Sequence, residues 1–82
     1  MIVDADKARP LDLVLLKTFV QVIDSQGFSL AAEELHLAQS TVSAHIKRLE
    51  TIIGEAILDK KKRIPTPTPL GIKLLAHSRR LL

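Results

Sequence analysis

The sequence lacks cysteine, tyrosine and tryptophan, and contains only two phenylalanines, Phe19 and Phe28. Without cysteine there is neither a disulfide nor a thiolate metal site. Two phenylalanines are too few for the aromatic platform on which single-stranded nucleic acids stack. The longest aliphatic run, Leu13 to Leu16, is too short to cross a bilayer, and the N-terminus has no signal-peptide core. We therefore expect no membrane partner through an inserted apolar segment.

The chain has 82 residues, of which 46% are apolar and 26% charged, a composition typical of a soluble globular domain. A chain of this length forms one domain at most. It is too small to build a substrate pocket of its own. The three histidines, His36, His45 and His77, have neither the spacing of a metal cluster nor a nucleophile partner. The sequence predicts a binding domain without enzymatic activity or cofactor.

Charge is distributed unevenly along the chain. Residues 1–36 contain three basic and six acidic residues, whereas residues 37–82 contain nine basic and three acidic ones. A basic half of this kind suits a polyanionic partner, either nucleic acid or an anionic membrane surface. A solvated basic face without a partner is the alternative explanation.

The helical pattern begins after an aperiodic, polar segment of residues 1–10, which we predict to be a flexible tail. From Leu13 onward, apolar residues recur at helical spacing. Asp12 can cap this helix, and Gly27 lies just beyond its predicted end. A second helix is expected to start at Ser29 as its capping residue and to run to Leu35.

A third helix is predicted from the recurrence of Val42, Ile46, Leu49 and Ile53, and it should end at Gly54. Together with the second helix it forms a helix-turn-helix over residues 28–47. Apolar contacts are expected from Ala32, Leu35, Leu37, Val42 and Ile46. His36 stands at the turn position that often takes a left-handed backbone conformation, and a buried histidine is the alternative.

The outer face of the third helix is small and polar at its start and basic further along. Small residues allow a helix to lie deep in the major groove, and Gln, Ser and Thr side chains can contact base edges. We predict base contacts from Gln39, Ser40, Thr41 and Ser43. We predict phosphate contacts from Lys47 and Arg48, which lie one turn further along.

A β-wing is predicted at about residues 57–67. The apolar pair Ile57-Leu58 and the alternating prolines Pro65 and Pro67 fit a two-stranded ribbon, because proline is tolerated at a sheet edge. The candidate phosphate contacts in this wing are Lys60, Lys61, Lys62, Arg63 and Thr66. A nuclear-localisation patch is the rival interpretation of the basic run.

The last helix is predicted to start at Thr68-Pro69, a capping hydroxyl followed by proline at the first helical position. Its apolar side could pack against its own domain or against a partner, and we favour a homodimer. The predicted dimer contacts are Leu70, Leu74, Leu75, Ser78, Leu81 and Leu82.

Residues 11–82 resemble the N-terminal DNA-binding domain of LysR-type transcriptional regulators. Five stretches carry the resemblance: Leu16 to Val20, Gly27 to His36, Ala38 to Ser43, Ile46 to Glu50 and Thr68 to Gly71. It implies a mostly α fold, a winged helix-turn-helix over residues 11–68 followed by the start of a linker, or dimerisation, helix over residues 69–82. It also implies a bacterial, cytoplasmic regulator that binds double-stranded DNA at an inverted repeat.

The resemblance further implies roles for single positions. Gln39, Ser40 and Ser43 match residues that touch base edges or nearby phosphates. Ser29 and Lys47 match positions that contact the backbone, and Arg63 matches a basic residue of the wing. Family members carry an effector-binding domain after the linker helix and often form tetramers. Because that domain is absent here, we expect the chain to be a fragment of a longer regulator.

The sequence departs from the family pattern at Ala44, where Arg or Gln is common, and at Ile57-Leu58-Asp59-Lys60, where the usual Phe and Arg are replaced. These changes affect the expected operator sequence and not the expected fold. An alternative function is a protein-interaction module that uses the apolar face of helix 69–82. Binding that resists high salt and ignores DNA would favour that alternative.

Overall fold

The structure, a computed structural model, describes residues 12–82, so the tail predicted for residues 1–10 lies outside it. Within residues 12–82, four helices and one small sheet follow in the order α1 (Leu13–Ser25), α2 (Phe28–Leu35), α3 (Gln39–Ile53), β1 (Leu58–Asp59), β2 (Thr66–Pro67) and α4 (Pro69–Leu81). The prediction of a mostly helical winged helix-turn-helix is confirmed.

Helix α1 begins where the sequence predicts, because the Oδ1 atom of Asp12 accepts a hydrogen bond from the Val14 N–H at 2.8 Å. Its end agrees with the prediction, because Gly27 lies just beyond it. Gln26 is the C-cap and takes the left-handed conformation, with φ 57° and ψ 32°. The Gln26 N–H donates to the Ile23 carbonyl and the Gly27 N–H to the Val22 carbonyl, which reverses the chain within two residues.

Helix α2 begins at Phe28 with Gly27 as its capping residue, so the prediction that Ser29 caps it is wrong. The tight reversal at Gln26 and Gly27 moves the capping position two residues earlier, from Ser29 to Gly27, which places Ser29 in the first turn, where it is exposed. Phe28 is thereby half-buried against the core. No side chain caps the first N–H groups of α2.

The turn between α2 and α3 follows the prediction. His36 adopts the left-handed conformation with φ 57° and ψ 42°, and the next N–H, that of Leu37, donates to the Ala32 carbonyl at 2.9 Å. Leu37 was expected in the core but is 37% exposed, because the turn carries it away from the helix contact. The last residue of helix α3 is Ile53, and its C-cap is Gly54, whose φ of 90° favours glycine.

The core lies among α1, α2 and α3, and the base of the wing closes one end of it. Buried residues come from all these elements: Leu16, Phe19, Val22, Ala31, Ala32, Val42, Ile46, Leu49, Ile57 and Leu58. The two alanines allow α2 and its neighbours to approach closely. Strands β1 and β2 pair antiparallel, Leu58 with Pro67 and Asp59 with Thr66. Both are edge strands, which is why a proline is tolerated in β2.

Helix α4 is fixed against the wing at its first turn. The Thr68 hydroxyl accepts a hydrogen bond from the Gly71 N–H at 3.0 Å and donates to the Ala56 carbonyl at 2.8 Å. A Cβ atom at Gly71 would lie only 2.2 Å from the Ile57 carbonyl oxygen. Glycine is therefore required for the close approach of α4 to the wing base.

The apolar side of α4 is partly covered by the domain itself. Leu74 and Ser78 are buried against the same chain, and the Ser78 hydroxyl donates to the Leu74 carbonyl at 2.7 Å. The expectation that these two residues face a dimer partner is corrected, because their own domain already excludes solvent from them. Leu70 and Leu75 are half-buried, whereas Ile72, Leu81 and Leu82 are exposed.

Candidate nucleic-acid interface

The outer face of α3 presents the side chains that the sequence assigns to DNA. Gln39, Ser40 and Ser43 are exposed near the start of the helix, and Lys47 and Arg48 are exposed one turn later. Thr41, in contrast, is half-buried, because its side of the helix approaches the rest of the domain. The opposite face, with Val42, Ile46 and Leu49, is buried and holds the helix in place. A polar and basic surface is thus carried on a rigid element.

A groove of about 600 Å³ on the protein surface, which we call the main groove, separates the wing from the start of α2. Its polar lining includes Ser29, Gln39, Lys60, Lys62 and Arg63. These residues come from three separate parts of the sequence, and the tertiary structure brings them to one surface. A base-reading candidate and four phosphate-contact candidates therefore border the same groove.

The start of α2 adds backbone donors to this groove. Gly27 has no side chain to satisfy the first N–H groups, and Gly27, Phe28 and Ser29 all line the groove. The first N–H groups of a helix lack partners inside the helix and carry partial positive charge. This end of the groove therefore suits an anionic group such as a phosphate.

The wing tip is shaped by Asp59. Its Oδ1 atom accepts a hydrogen bond from the Lys61 N–H at 3.0 Å, and its carbonyl accepts a longer one from the Lys62 N–H at 3.4 Å. The turn directs a run of exposed basic side chains away from the core: Lys60, Lys61, Lys62 and Arg63. Such a cluster supplies sequence-independent attraction to a polyanion.

Lys60 and Thr66 each make a contact within the domain. Lys60 Nζ lies 3.9 Å from Glu50 Oε1, while Glu50 Oε2 accepts a hydrogen bond from the Ile57 N–H at 2.9 Å. Glu50 thereby connects α3 to the wing base. The Thr66 hydroxyl donates to the Ile64 carbonyl at 2.9 Å, so its proton is already used.

The remaining candidates lie outside the main groove. Lys47 lines a second, shallower groove of about 400 Å³ together with Lys60. Ser40, Thr41, Ser43, Arg48, Lys61 and Thr66 border neither groove. These six residues could contact a large partner that covers the surface beside the grooves. A small ligand bound inside either groove would not reach them.

Two exposed apolar residues, one in the main groove and one at the wing, were not predicted from the sequence. Leu30 lines the main groove and is 55% exposed, and Ile64 is exposed at the wing. Leu30 falls outside the buried stripe of α2, so the helical period already indicated its exposure. The position of Ile64 depends on the wing turn, for which periodicity gives no information.

One ion pair joins α1 to α4. Arg79 donates to both carboxylate oxygens of Asp24, and both side chains are about half exposed. The hydrogen bond from Arg79 is the chief cause that lowers the pKa of Asp24 below its ordinary value of 3.8; partial burial acts in the opposite direction, and charge attraction adds to the lowering. The same contact raises the pKa of Arg79.

Residues 12–82 contain neither a candidate metal site nor a candidate membrane span. In this range, no cluster of three histidine or carboxylate side chains is arranged to hold a metal ion. No helix in this range combines the length and hydrophobicity needed to cross a membrane.

The helix-turn-helix, the two-stranded wing and the polar outer face of α3 define a winged helix-turn-helix domain. A family model described as "Bacterial regulatory helix-turn-helix protein, lysR family" matches residues 13–72. The chain belongs to this family. Its function is that of the DNA-binding domain of a transcriptional regulator, and the prediction that it is not an enzyme is confirmed by relatives that are regulators.

Two curated relatives illustrate the similarity. The transcriptional regulator CfxR of Cupriavidus necator is 43% identical over 74 residues, which cover 90% of this chain and 23% of CfxR. The transcriptional regulator ArgP of Vibrio vulnificus is 41% identical over 73 residues, which cover 89% of this chain and 24% of ArgP. The chain thus spans about a quarter of the length of these relatives.

Solved structures share the fold. A complex of the BenM DNA-binding domain with catB site 1 DNA superposes with a TM-score of 0.83 at 32% identity, covering 87% of this chain and 80% of that one. Full-length LysG of Corynebacterium glutamicum superposes with a TM-score of 0.81 at 25% identity, covering 87% of this chain and 24% of LysG.

Proposed function

We propose that the chain recognises a specific double-stranded DNA sequence as a homodimer, with one α3 helix in the major groove of each half-site of an inverted repeat. A major groove about 12 Å wide accommodates a helix of this size. The observation that carries the proposal is the main groove, where Ser29, Gln39 and Arg63 meet beside the exposed face of α3.

Base recognition is assigned to the start of α3. Gln39 can pair with an adenine edge through two hydrogen bonds, and the hydroxyls of Ser40, Thr41 and Ser43 can contact bases or nearby phosphates. The exposure of Gln39, Ser40 and Ser43 supports this assignment. Thr41, half-buried, has the smallest part in it.

Phosphate contacts surround this recognition surface and provide most of the affinity. Ser29 and the start of α2 hold one phosphate, and Lys47 and Arg48 approach the backbone further along α3. The wing contributes Lys61, Lys62 and Arg63, all exposed. Lys60 and Thr66 contribute less, because each has a contact within the domain.

Dimerisation is assigned to the part of α4 that the domain leaves uncovered. Leu81 and Leu82 are exposed, and Leu70 and Leu75 are half-buried, so these four residues can contact a second copy. Ile72 joins them as an exposed apolar residue of the same helix. Leu74 and Ser78 are excluded, since they are buried within their own domain.

The roles of the longer protein follow from the family. We propose that this domain belongs to a bacterial cytoplasmic regulator with an effector-binding domain and that the full-length protein can form tetramers. The chain covers only 23% of CfxR and 24% of ArgP, which supports a longer protein. DNA binding by this chain needs no cofactor.

Selection from a randomised duplex pool at moderate salt, followed by sequencing, tests the proposal. An inverted repeat with fixed half-site spacing is the expected result. Retention without sequence enrichment would contradict base recognition by α3. No retention even at low salt would contradict DNA binding and favour the protein-interaction module.

A further inference from the structure

The contact between Asp24 and Arg79 joins residues that lie 55 positions apart in the sequence. Arg79 Nη2 donates to Asp24 Oδ1 at 2.6 Å, and Arg79 Nη1 donates to Asp24 Oδ2 at 3.3 Å. Two parallel hydrogen bonds from a planar guanidinium fix the relative orientation of the two groups as well as their separation. A single-point contact would fix only the separation.

The pair lies where α4 departs from the rest of the domain. Ser78 is buried, whereas Arg80, Leu81 and Leu82, which follow the pair, are exposed. Among residues 12–82, Asp24–Arg79 is the last side-chain hydrogen-bonded contact between α4 and the body. On the other side, Asp24 is in the last turn of α1, immediately before the reversal that starts α2.

The helix has a second fixed point at its first turn, where Gly71 contacts the Ile57 carbonyl. Gly71 and Arg79 are eight residues apart, or about 12 Å along a helix. Two fixed points at this separation define the direction of a helix axis. An exposed ion pair contributes little net stability, but the two hydrogen bonds of this one restrict the orientation of the end of α4 relative to α1.

We infer that Asp24 and Arg79 form a positioning pair that sets the angle between α4 and the helix-turn-helix, and thereby the half-site spacing that the dimer accepts. The inference rests on the proposed dimerisation through α4. A tilt of about 10° over about 20 Å of helix moves its far end by about 3.5 Å, similar to the rise of about 3.4 Å per base pair. A small change of angle is therefore enough to change the preferred spacing by one base pair.

The test measures binding to duplexes that carry two half-sites at spacings varied one base pair at a time, and to a single half-site. The variants are Asp24→Asn, Arg79→Gln, Arg79→Lys and the charge exchange Asp24→Arg with Arg79→Asp. Arg80→Gln is the matched control, because it removes the same charge from the exposed neighbour of Arg79. Thermal unfolding confirms that each variant is folded.

We expect single half-site affinity within about twofold of the original chain for every variant. The preference for the best spacing over its neighbours should fall at least threefold in Asp24→Asn and Arg79→Gln. The spacing preference of Arg79→Lys should fall as well, because lysine keeps the charge but lacks the two-point contact. Arg80→Gln should keep the original preference, and the charge exchange should restore part of it.

Two results would overturn the inference separately from the proposed function. An unchanged spacing preference in Asp24→Asn and Arg79→Gln would remove the pair from positioning while leaving the dimer intact. A uniform loss of DNA affinity at all spacings and at the single half-site would assign the pair a purely structural role. If the original chain shows no preferred spacing, dimerisation through α4 fails and the inference fails with it.

Discussion

The hydroxyl oxygen of Thr18 lies 2.8 Å from Nδ1 of His45, 27 residues away on the recognition helix α3. The same hydroxyl donates its single proton to the Val14 carbonyl at 3.0 Å. Both contacts of the Thr18 hydroxyl are satisfied together when Nδ1 of His45 carries a proton and donates it to Thr18. The contact connects α1 to α3 beneath the DNA-contacting face.

Replacing Thr18 with Val should therefore lower the free energy of unfolding by about 1–3 kcal/mol, because it leaves the Nδ1–H group without its acceptor. Chemical denaturation measures the loss. Thr51→Val is the matched control, since Thr51 makes the same type of bond to the Lys47 carbonyl at an exposed position. The control should change stability by less than about 0.5 kcal/mol. Equal losses in the two variants, or an unprotonated Nδ1 of His45 by nitrogen NMR, would contradict the assigned contact.

Gln39→Ala should weaken binding to the selected DNA sequence by about 1–3 kcal/mol and binding to random DNA very little. The loss follows from the two hydrogen bonds that a glutamine amide can make with adenine. Titration on both DNAs gives the comparison. Gln21→Ala on α1, where the amide bonds to Ser25, is a control of the same residue type outside the interface. A loss of equal size on selected and random DNA would remove Gln39 from base recognition.

Lys47→Ala should weaken binding to all sequences alike and reduce the slope of log affinity against log salt by about one. The reason is the loss of one phosphate contact and of the counterion release that accompanies it. Affinities at four or five salt concentrations determine the slope. Lys73→Ala removes the same charge from the exposed side of α4. If the two variants change the slope equally, only net charge matters, and a phosphate contact by Lys47 is excluded.

Gln26→Gly should raise the free energy of unfolding by about 0.5–1 kcal/mol, because the left-handed conformation is costly for residues with a Cβ atom. The melting temperature should rise by a few degrees in a domain of this size. Gly54→Ala is the reverse experiment, since Gly54 has φ 90° and no atom within 4 Å of an added Cβ. It should destabilise through backbone strain alone. A lower melting temperature for Gln26→Gly would show that the glutamine side chain contributes more than the strain costs.

Acid should weaken the Asp24–Arg79 contact. Since folding lowers the pKa of Asp24, its contribution to stability is present above the ordinary value of 3.8 and is lost as the pH falls through the lowered value. The difference in melting temperature between the original chain and Asp24→Asn should stay constant from pH 5 upward and shrink below about pH 4. A difference that grows on acidification would contradict this sign.

Local sequence determined where most helices begin and end. Asp12 and Thr68 cap α1 and α4 as predicted, and His36 takes the left-handed turn conformation. These features depend on a side chain and backbone groups within a few residues, so the sequence around them is sufficient. The prediction failed at Ser29, because the reversal at Gln26 and Gly27 depends on how α2 packs against α1.

The candidate interface was predictable only as separate parts. The period of α3 identified Gln39, Ser43 and Lys47 as outward-facing, and their exposure agrees with it. The sequence could not show that Ser29 and Arg63 border one groove with Gln39, because that depends on the position of the wing relative to α2.

The helical periods, the caps, the basic second half and the resemblance to the lysR family all follow from residue type and short spacing. Three other features depend on how the chain folds: Leu74 and Ser78 are covered by their own domain, Glu50 joins α3 to the wing, and Asp24 meets Arg79. Contacts between residues tens of positions apart depend on how the helices pack, and no local pattern encodes that packing.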